Sequence, residues 1–392
     1  METGRNMLFE PINIGSLKIK NRIAMAPMGT LHGTYDGYVT DQLIAHYGAR
    51  AKGGVGLIVV EHSIATNKYG MGLLGLWDDW HITSMNELVE AVHYFGSKIV
   101  VQLSPGLGRM GASRWLGEIP VAPSAIPYFA AEESLPEIMR VKGGIKGELP
   151  RELSVEEIIE LENLYAEAAR RARFAKFDGI EIHAAHGYLI FGFLSPHSNH
   201  REDIYGGTRE NRVRFLSNII KKTRSKVGKN FVVGARISAD EHVEGGLSIS
   251  EMSEIVPLIV DEGLDYIHIS SGTGESYNWL VPAETDKLLP EARIIKGVSS
   301  APVICPNIHD PEKAREEIEK GNIDMVSIGR PLLADPEWPN KVMRGETEKI
   351  RKCQRDNYCF KRIMSALRIR CICNPEVGYE RYNSDYYPLK KP

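Results

Sequence analysis

The stretch IEIHAAHGYLIFGFLSPHSNHREDIYGGTRENRVRF (180–215) changes character twice. It opens inside a strand-length apolar run, 178–184, and it closes on RENRVRF, the start of a helically spaced pattern that reaches residue 226. Between the two lie His183, His186, Gly187 and Tyr188. A short apolar run, a polar turn and a long amphipathic segment make one β/α unit.

The same unit recurs along the chain. Strand-length runs occupy 22–27, 55–61, 98–103, 178–184, 231–237, 265–270, 302–305 and 324–329. Helical patterns occupy 41–54, 84–98, 154–177, 209–226, 248–263 and 310–321, and Ser154 with Glu157 reads as a capping box. Eight strands, each followed by a helix or a helix-sized connection, predict an α/β fold, a (β/α)8 TIM barrel. Such a barrel carries function at the C-terminal ends of its strands. The segment 104–153 is long for a βα connection and rich in Pro and Gly, as lids and binding loops are. The domain reading is a barrel over 1–339, then a C-terminal cysteine-bearing helical appendage over 340–392 with an irregular tail, RYNSDYYPLKKP.

The 392 residues are 43% hydrophobic and 25% charged with a net charge of −3, which argues against a nucleic-acid partner. The first 20 residues lack a signal-peptide core, and no run of 18 apolar residues predicts a membrane span. The expected location is cytoplasmic, where disulfides are disfavoured and clustered cysteines point to metal or redox use.

His183, His186 and Tyr188 crowd one strand end. Two imidazoles can hold an oxygen that gains negative charge, and a phenol beside them can deliver a proton. The plain alternative is two satisfied core histidines and a packing tyrosine; their place at the strand end favours chemistry.

HAAHGYL, FLSP, YGG and ENR in this stretch resemble the old yellow enzyme family of FMN-dependent ene-reductases. The resemblance continues through LFEPINIGSLKIKNRIAMAPM (8–28), Gln102, Gly108–Arg109, VAPS (121–124), PRELSVEEI (150–158), GARIS (234–238) and SIGRPLLADPEW (327–338). It implies that Pro27, Met28 and Gly29 wall the flavin and that Gln102 bonds its pyrimidine edge. It places Arg236 near flavin N1, and Gly329 and Arg330 at the phosphate. Asn307 stands where the family has a glycine; Asn tolerates the left-handed conformation that such a loop needs. The family's histidine near Gly108–Arg109 is missing, which bears on substrate fit.

The implied activity is reduction of the C=C bond of a small α,β-unsaturated carbonyl or carboxyl compound. Hydride would come from FMN N5, with NADH or NADPH as reductant, and Tyr188 would supply the proton. Two other readings stand beside it: an oxidative FMN/iron–sulfur dehydrogenase of the trimethylamine dehydrogenase type, and a flavin-free scaffold barrel.

Four of the five cysteines fall in KCQRDNYCFKRIMSALRIRCICNP (352–375). A branch of the family, with 2,4-dienoyl-CoA reductases, 2-enoate reductases and trimethylamine dehydrogenase, carries a [4Fe–4S] segment after its barrel. Cys353, Cys359 and Cys371, followed by Asn374–Pro375, resemble three of its four ligand positions. Asp356 stands at the other, and Cys373 is a second candidate there. A zinc site, or reduced cysteines without metal, are the other readings. That branch continues into an FAD- and NAD(P)H-binding domain, and no G-x-G-x-x-G follows a late strand here. Electrons are then expected from NAD(P)H directly or from a partner protein or domain. Homo-oligomerisation is left open.

Overall fold

Eight parallel strands pair in chain order and the last returns to the first. They are β1 (Ile23–Met25), β2 (Leu57–Ile64), β3 (Lys98–Ser104), β4 (Gly179–Ala184), β5 (Val232–Ser238), β6 (Tyr266–Ser270), β7 (Val303–Pro306) and β8 (Met325–Ile328). Val326 of β8 sits opposite Ile23 and Ile328 opposite Met25, which closes the barrel. This computed structural model describes residues 6–69 and 74–386, so the end of the expected tail, 387–392, lies outside the described residues.

The crossovers are α1 (Asp41–Lys52), α2 (His81–Tyr94), α3 (Val155–Phe174), α4 (Arg209–Val227), α5 (Ile249–Asp261), α6 (Leu289–Val298), α7 (Pro311–Glu319) and α8 (Arg330–Ala334). Their starts are written in the sequence: Thr40, Thr208, Ser248 and Asp310 each accept a first-turn amide, and Ser154 with Glu157 completes the capping box. The helix α6 was expected only as a helix-sized connection. Pro290 stands in its first turn, where a missing N–H costs nothing.

The strands are buried on both faces, because side chains fill the barrel and helices cover it. Leu43, Leu88, Ile158, Leu216, Ile255 and Ile318 belong to the outer layer between helices and strands. Ala24, Leu57, Val59, Val100, Val232, Tyr266, Ile304 and Met325 fill the inside, stoppered by Ile14 and Ile19 of a hairpin that pairs Ile12–Ile14 with Leu17–Ile19. Above this plug the interior turns polar: Gln102, Glu181, His268 and Ser327 are all buried. Gln102 Nε2 donates to Glu181 Oε1 at 2.8 Å, the Tyr266 hydroxyl donates to Glu181 Oε2 at 3.0 Å, and His268 spans Glu181 Oε2 and Ser327 Oγ at 2.8 and 2.7 Å.

The 104–153 segment has structure of its own. Val121–Ala122 pairs with Arg151–Glu152, and Phe129–Ala130 with Ile145–Lys146. Ala130 and Leu135 pack with Tyr277 from the loop after β6 and with Phe360 from the cysteine segment, so three separate stretches form one cover.

A short helix, Trp338–Met343, spans the expected boundary at 339/340, and a second, Tyr358–Met364, packs back over the barrel. The tail is latched to α1. Glu380 is buried and accepts from Arg50 Nη1, Gln42 Nε2 and the Gly378 amide, each at 2.6 Å. His32, His46 and Glu380 bring donor atoms within 4.8 Å of one another, as a metal site would. Arg50 Nη1, however, lies 2.6 Å from Glu380 Oε1 and 3.0 Å from His46 Nδ1, so a guanidinium already stands where a cation would bind.

Candidate active site

A cavity of about 370 Å³ opens at the C-terminal ends of the strands. Every residue expected around flavin and substrate borders it: Pro27, Met28 and Gly29 after β1, Gln102 in β3, and His183, His186 and Tyr188 at and after the end of β4. Arg236 of β5, Asn307 after β7, and Gly329 and Arg330 after β8 complete the set. Of the cysteine segment, Cys359 borders it too, with Phe360, Ile363 and Met364.

The turn after β4 is built to present its side chains. His186 takes φ +66° and Gly187 φ +81°, and a Cβ on Gly187 would come 3.2 Å from Cβ of Thr273. The His186 amide donates to Ser238 Oγ at 2.9 Å, which anchors the turn on β5. His186 Nδ1 lies 3.3 Å from His183 Nε2, and its Nε2 lies 2.6 Å from Ser270 Oγ. The His183 and Tyr188 rings are 4.8 Å apart between centroids. Burial pushes the pKa of His183 well down, and the His186, His62 and Arg236 charges add to it; burial and Arg236 do the same to His186. Both imidazoles are therefore neutral. Burial pushes the Tyr188 phenol up, against the opposing Arg236, so it keeps its proton.

The groups expected to hold FMN fit an anionic, planar ligand. Arg236 Nε has no partner, and the longest reach of its guanidinium is a 3.4 Å bond from Nη2 to Ser270 Oγ. No described carboxylate lies within 4.0 Å of it, although the Glu181 charge acts on it, so a half-buried cation faces the cavity without an ion pair. Glu181 fixes the Gln102 amide. Asn307 takes φ +68°, the left-handed conformation its place in the loop calls for. Arg330 donates to neutral acceptors only: Asn357 Oδ1 and the Pro282 carbonyl at 2.7 Å, and Asn307 Oδ1 at 3.5 Å. The charges of Cys353, Cys359 and Asp356 act on it, and none of them makes an ion pair with it, so it is open to an anion in the cavity.

Several lining residues escaped the sequence reading. Glu61 ends the VGLIVVE run and His62 follows it, and a polar pair at the C-terminal end of an apolar strand was the available signal. Glu61 is buried and accepts from both the amide and the hydroxyl of Thr30; burial lifts its pKa to about 7. His309 stands near Arg330, and burial and that charge bring it down to about 4. Ser270 and Ser327 give no sequence signal, because their role depends on which strand lies beside them.

The cysteines gather around the wall shared with this cavity. The charges of Cys373 and Asp356 both bear on Cys353, and those of Cys353 and Cys371 bear on Cys359. Cys353 Sγ accepts from the Arg355 amide at 3.4 Å; burial pushes the Cys353, Cys359 and Cys371 thiols up, and backbone amides near each oppose it. Asp356 Oδ1 accepts from the Tyr358 amide at 2.6 Å. Among the described residues no three of these donor atoms lie within 4.8 Å of one another. A tetrahedral zinc with Zn–S bonds of about 2.3 Å would hold them closer, whereas a cluster spreads its ligands wider.

No described helix is long and apolar enough to cross a membrane. The chain is 40% identical over 395 residues to the NADH oxidase of Thermoanaerobacter brockii, covering 98% of this chain and 58% of that protein. It is 35% identical over 418 residues to the cinnamate reductase of Clostridium sporogenes, covering 100% of this chain and 60% of that protein. Among solved structures, a 2-naphthoyl-CoA reductase–2-naphthoyl-CoA complex superposes with a TM-score of 0.88 at 29% identity, over 96% of this chain and 58% of that one. The histamine dehydrogenase of Rhizobium sp. 4-9 superposes with a TM-score of 0.83 at 28% identity, over 95% and 53%. This chain thus spans little more than half the length of these relatives. Residues 7–349, which hold the barrel and every strand-end residue above, match one family along their whole length. The chain belongs to the NADH:flavin oxidoreductase / NADH oxidase family.

Proposed function

We propose that this chain is the flavin-bearing part of an ene-reductase that reduces a C=C bond conjugated to a carbonyl or carboxyl group. The observation that carries this reading is the meeting, in one cavity, of neutral imidazoles, a protonated phenol and a half-buried guanidinium that has no ion partner. Bound FMN supplies hydride transfer there, with NADH or NADPH as its reductant. Pro27, Met28 and Gly29 form its wall. Gln102, held by Glu181, meets its polar edge, Arg236 provides positive charge, and Gly329, Arg330 and Asn307 take its phosphate. On the substrate side, a neutral His183 donates to the oxygen of the activating group. Charge grows on that oxygen as the β-carbon is reduced, so the donor binds the transition state more tightly than the substrate. Tyr188 gives its proton to the α-carbon. The cover built from 104–153, the loop after β6 and the cysteine segment excludes water.

An oxidative reaction on an amine is the second reading, favoured by the likeness to histamine dehydrogenase. Neutral imidazole donors suit an oxygen that gains negative charge better than an ammonium group.

We infer also that Cys353, Cys359 and Cys371 hold an iron–sulfur cluster, with Asp356 or Cys373 as the fourth ligand. The Arg355 amide bonded to the Cys353 sulfur supports this, since such a bond stabilises a thiolate.

FMN-loaded protein, reduced anaerobically with NADH or NADPH, should be reoxidised by 2-cyclohexen-1-one or trans-cinnamate with the saturated product appearing. If no unsaturated carbonyl or carboxyl compound reoxidises it while an amine reduces it, the oxidative reading replaces this one. A preparation that binds no FMN would return the barrel to the scaffold reading.

A further inference from the structure

The segment 351–373 carries seven Lys or Arg against one acid, Asp356, in a chain whose net charge is −3. Arg351, Lys352, Arg355, Lys361 and Arg368 are exposed. None of the seven makes an ion pair among the described residues. Where Arg351, Arg362 and Arg370 find an acceptor, it is a neutral oxygen. By contrast Arg344 and Lys349, just upstream, share Glu346, and Arg315 meets both Glu312 and Glu319. Unpaired like charges on one stretch repel one another, and an anionic partner removes that repulsion.

Two apolar side chains stand among these cations. Leu367 is 49% exposed, and Ile372, between Cys371 and Cys373, is 54% exposed. An apolar centre inside a polar rim is the make-up of a protein contact. The four cysteines of the segment are half-buried, and its inner side, with Cys359, Ile363 and Met364, borders the cavity. The segment therefore stands between the cavity and this surface. Cations that only offset a metal centre would bond its sulfurs. The bond to Cys353 Sγ, however, comes from the Arg355 backbone amide and not from its side chain.

We propose that this face of 351–373 docks an acidic one-electron carrier protein, which exchanges electrons with the flavin through the cysteine segment. The electron path rests on the ene-reductase and iron–sulfur readings above; the docking does not. Reduction of one C=C bond takes up two electrons and two protons. Two molecules of reduced carrier dock in turn, and each leaves oxidised by one electron. Both protons come ultimately from solvent, one of them through Tyr188. Redox encounters bury little surface, so a short segment suffices. A nucleotide phosphate is the other anion such cations could meet, but it gives no part to Leu367 and Ile372.

The test measures binding of an acidic [2Fe–2S] ferredoxin and of an acidic flavodoxin to the holoenzyme by titration calorimetry, with basic cytochrome c as the contrast. Wild type should bind an acidic carrier and lose about tenfold in affinity between about 20 mM and about 200 mM salt, as exposed charges are screened. Lys361→Glu/Arg368→Glu should lose about tenfold or more at low salt, and Lys361→Gln/Arg368→Gln less, with FMN content and reduction by NADH or NADPH at wild-type levels. Lys18→Glu, on the hairpin that plugs the opposite end of the barrel, should change nothing. Equal affinity for cytochrome c, binding that ignores salt, or full affinity in the Glu variant would overturn the proposal. Failure of both acidic carriers to bind would overturn it too, and CoA or NADPH binding lost in the Glu variant would then give the surface to a nucleotide. If the double variants do not fold, the salt dependence and the cytochrome c contrast in wild type decide. If enones do not reoxidise the protein, or if it holds no iron, those readings fail on their own and the binding result still judges the docking surface.

Discussion

Arg330, at the start of α8, donates from Nη1 to Oδ1 of Asn357 at 2.7 Å. One bond thus joins the loop after the last barrel strand to the segment that carries the cysteines. Asn357 also donates from Nδ2 to the Val281 carbonyl at 3.3 Å and takes φ +57° at the head of the helix Tyr358–Met364. The cavity wall after β8 and the cysteine segment are thus held together at one side chain, Asn357.

Asn357→Ala should therefore weaken FMN as well as the fold. It leaves the half-buried Arg330 short of an acceptor, a loss of about 1 kcal/mol, the low end for an unsatisfied group. The expected result is a lower Tm with weaker FMN binding in a fluorescence titration, and Arg330→Ala should weaken FMN further. Wild-type FMN affinity in Arg330→Ala would remove it from the phosphate site.

Tyr188→Phe should slow reoxidation by an enone by about 10²–10⁴-fold, the range for a lost general acid. FMN content and the rate of flavin reduction should stay at wild-type levels. A native enone rate in this variant would show that the proton comes from elsewhere.

Glu61 makes stability depend on pH. Burial raises its folded-state pKa from the ordinary carboxyl value of 4.5 to about 7. A carboxyl whose pKa is raised on folding contributes fully below the unfolded value and loses that contribution as pH rises through the folded one. FMN-free protein should therefore lose stability between pH 4.5 and about 7 through this group, by roughly 3 kcal/mol at most. Glu61→Gln should be more stable than wild type at pH 8 and not at pH 4 in urea unfolding. Parallel curves for the two proteins across this range would show that Glu61 ionises freely.

Iron and sulfide content, measured on anaerobically prepared protein, tests the cysteine segment. Cys353→Ser, Cys359→Ser and Cys371→Ser should each abolish a four-iron cluster. Asp356→Ala and Cys373→Ser separate the two candidates for the fourth ligand, since only the ligand's loss should lower the iron. Full iron in all three cysteine variants would leave these residues without a metal.

The strands were legible in the sequence because each is a short apolar run bounded by turn residues. β5 was expected at 231–237 and spans Val232–Ser238, and β8 was expected at 324–329 and spans Met325–Ile328. Four helix starts among the crossovers carry Ser or Thr caps, a purely local signal. The helix α6 was weaker in the sequence because its first turn holds a proline and its N-cap position, Leu288, makes no side-chain cap.

The site divides along the same line. The sequence by itself determined that His183, His186 and Tyr188 share a strand end, that Asn307 tolerates the left-handed turn, and that Gln102, Arg236 and Arg330 belong to three different β/α units, the third, fifth and eighth. These are properties of local spacing and of the eightfold repeat. Only the tertiary structure decided what the imidazoles meet. His186 lies against Ser270, on the strand two places away, and His62 borders the cavity because β2 bulges against Gln102. It also decided that the cysteine segment is a wall of the cavity, through Arg330 and Asn357, 27 residues apart in the chain. Hydrogen-bond satisfaction and strand register depend on neighbours far away in sequence, and a one-dimensional pattern carries neither.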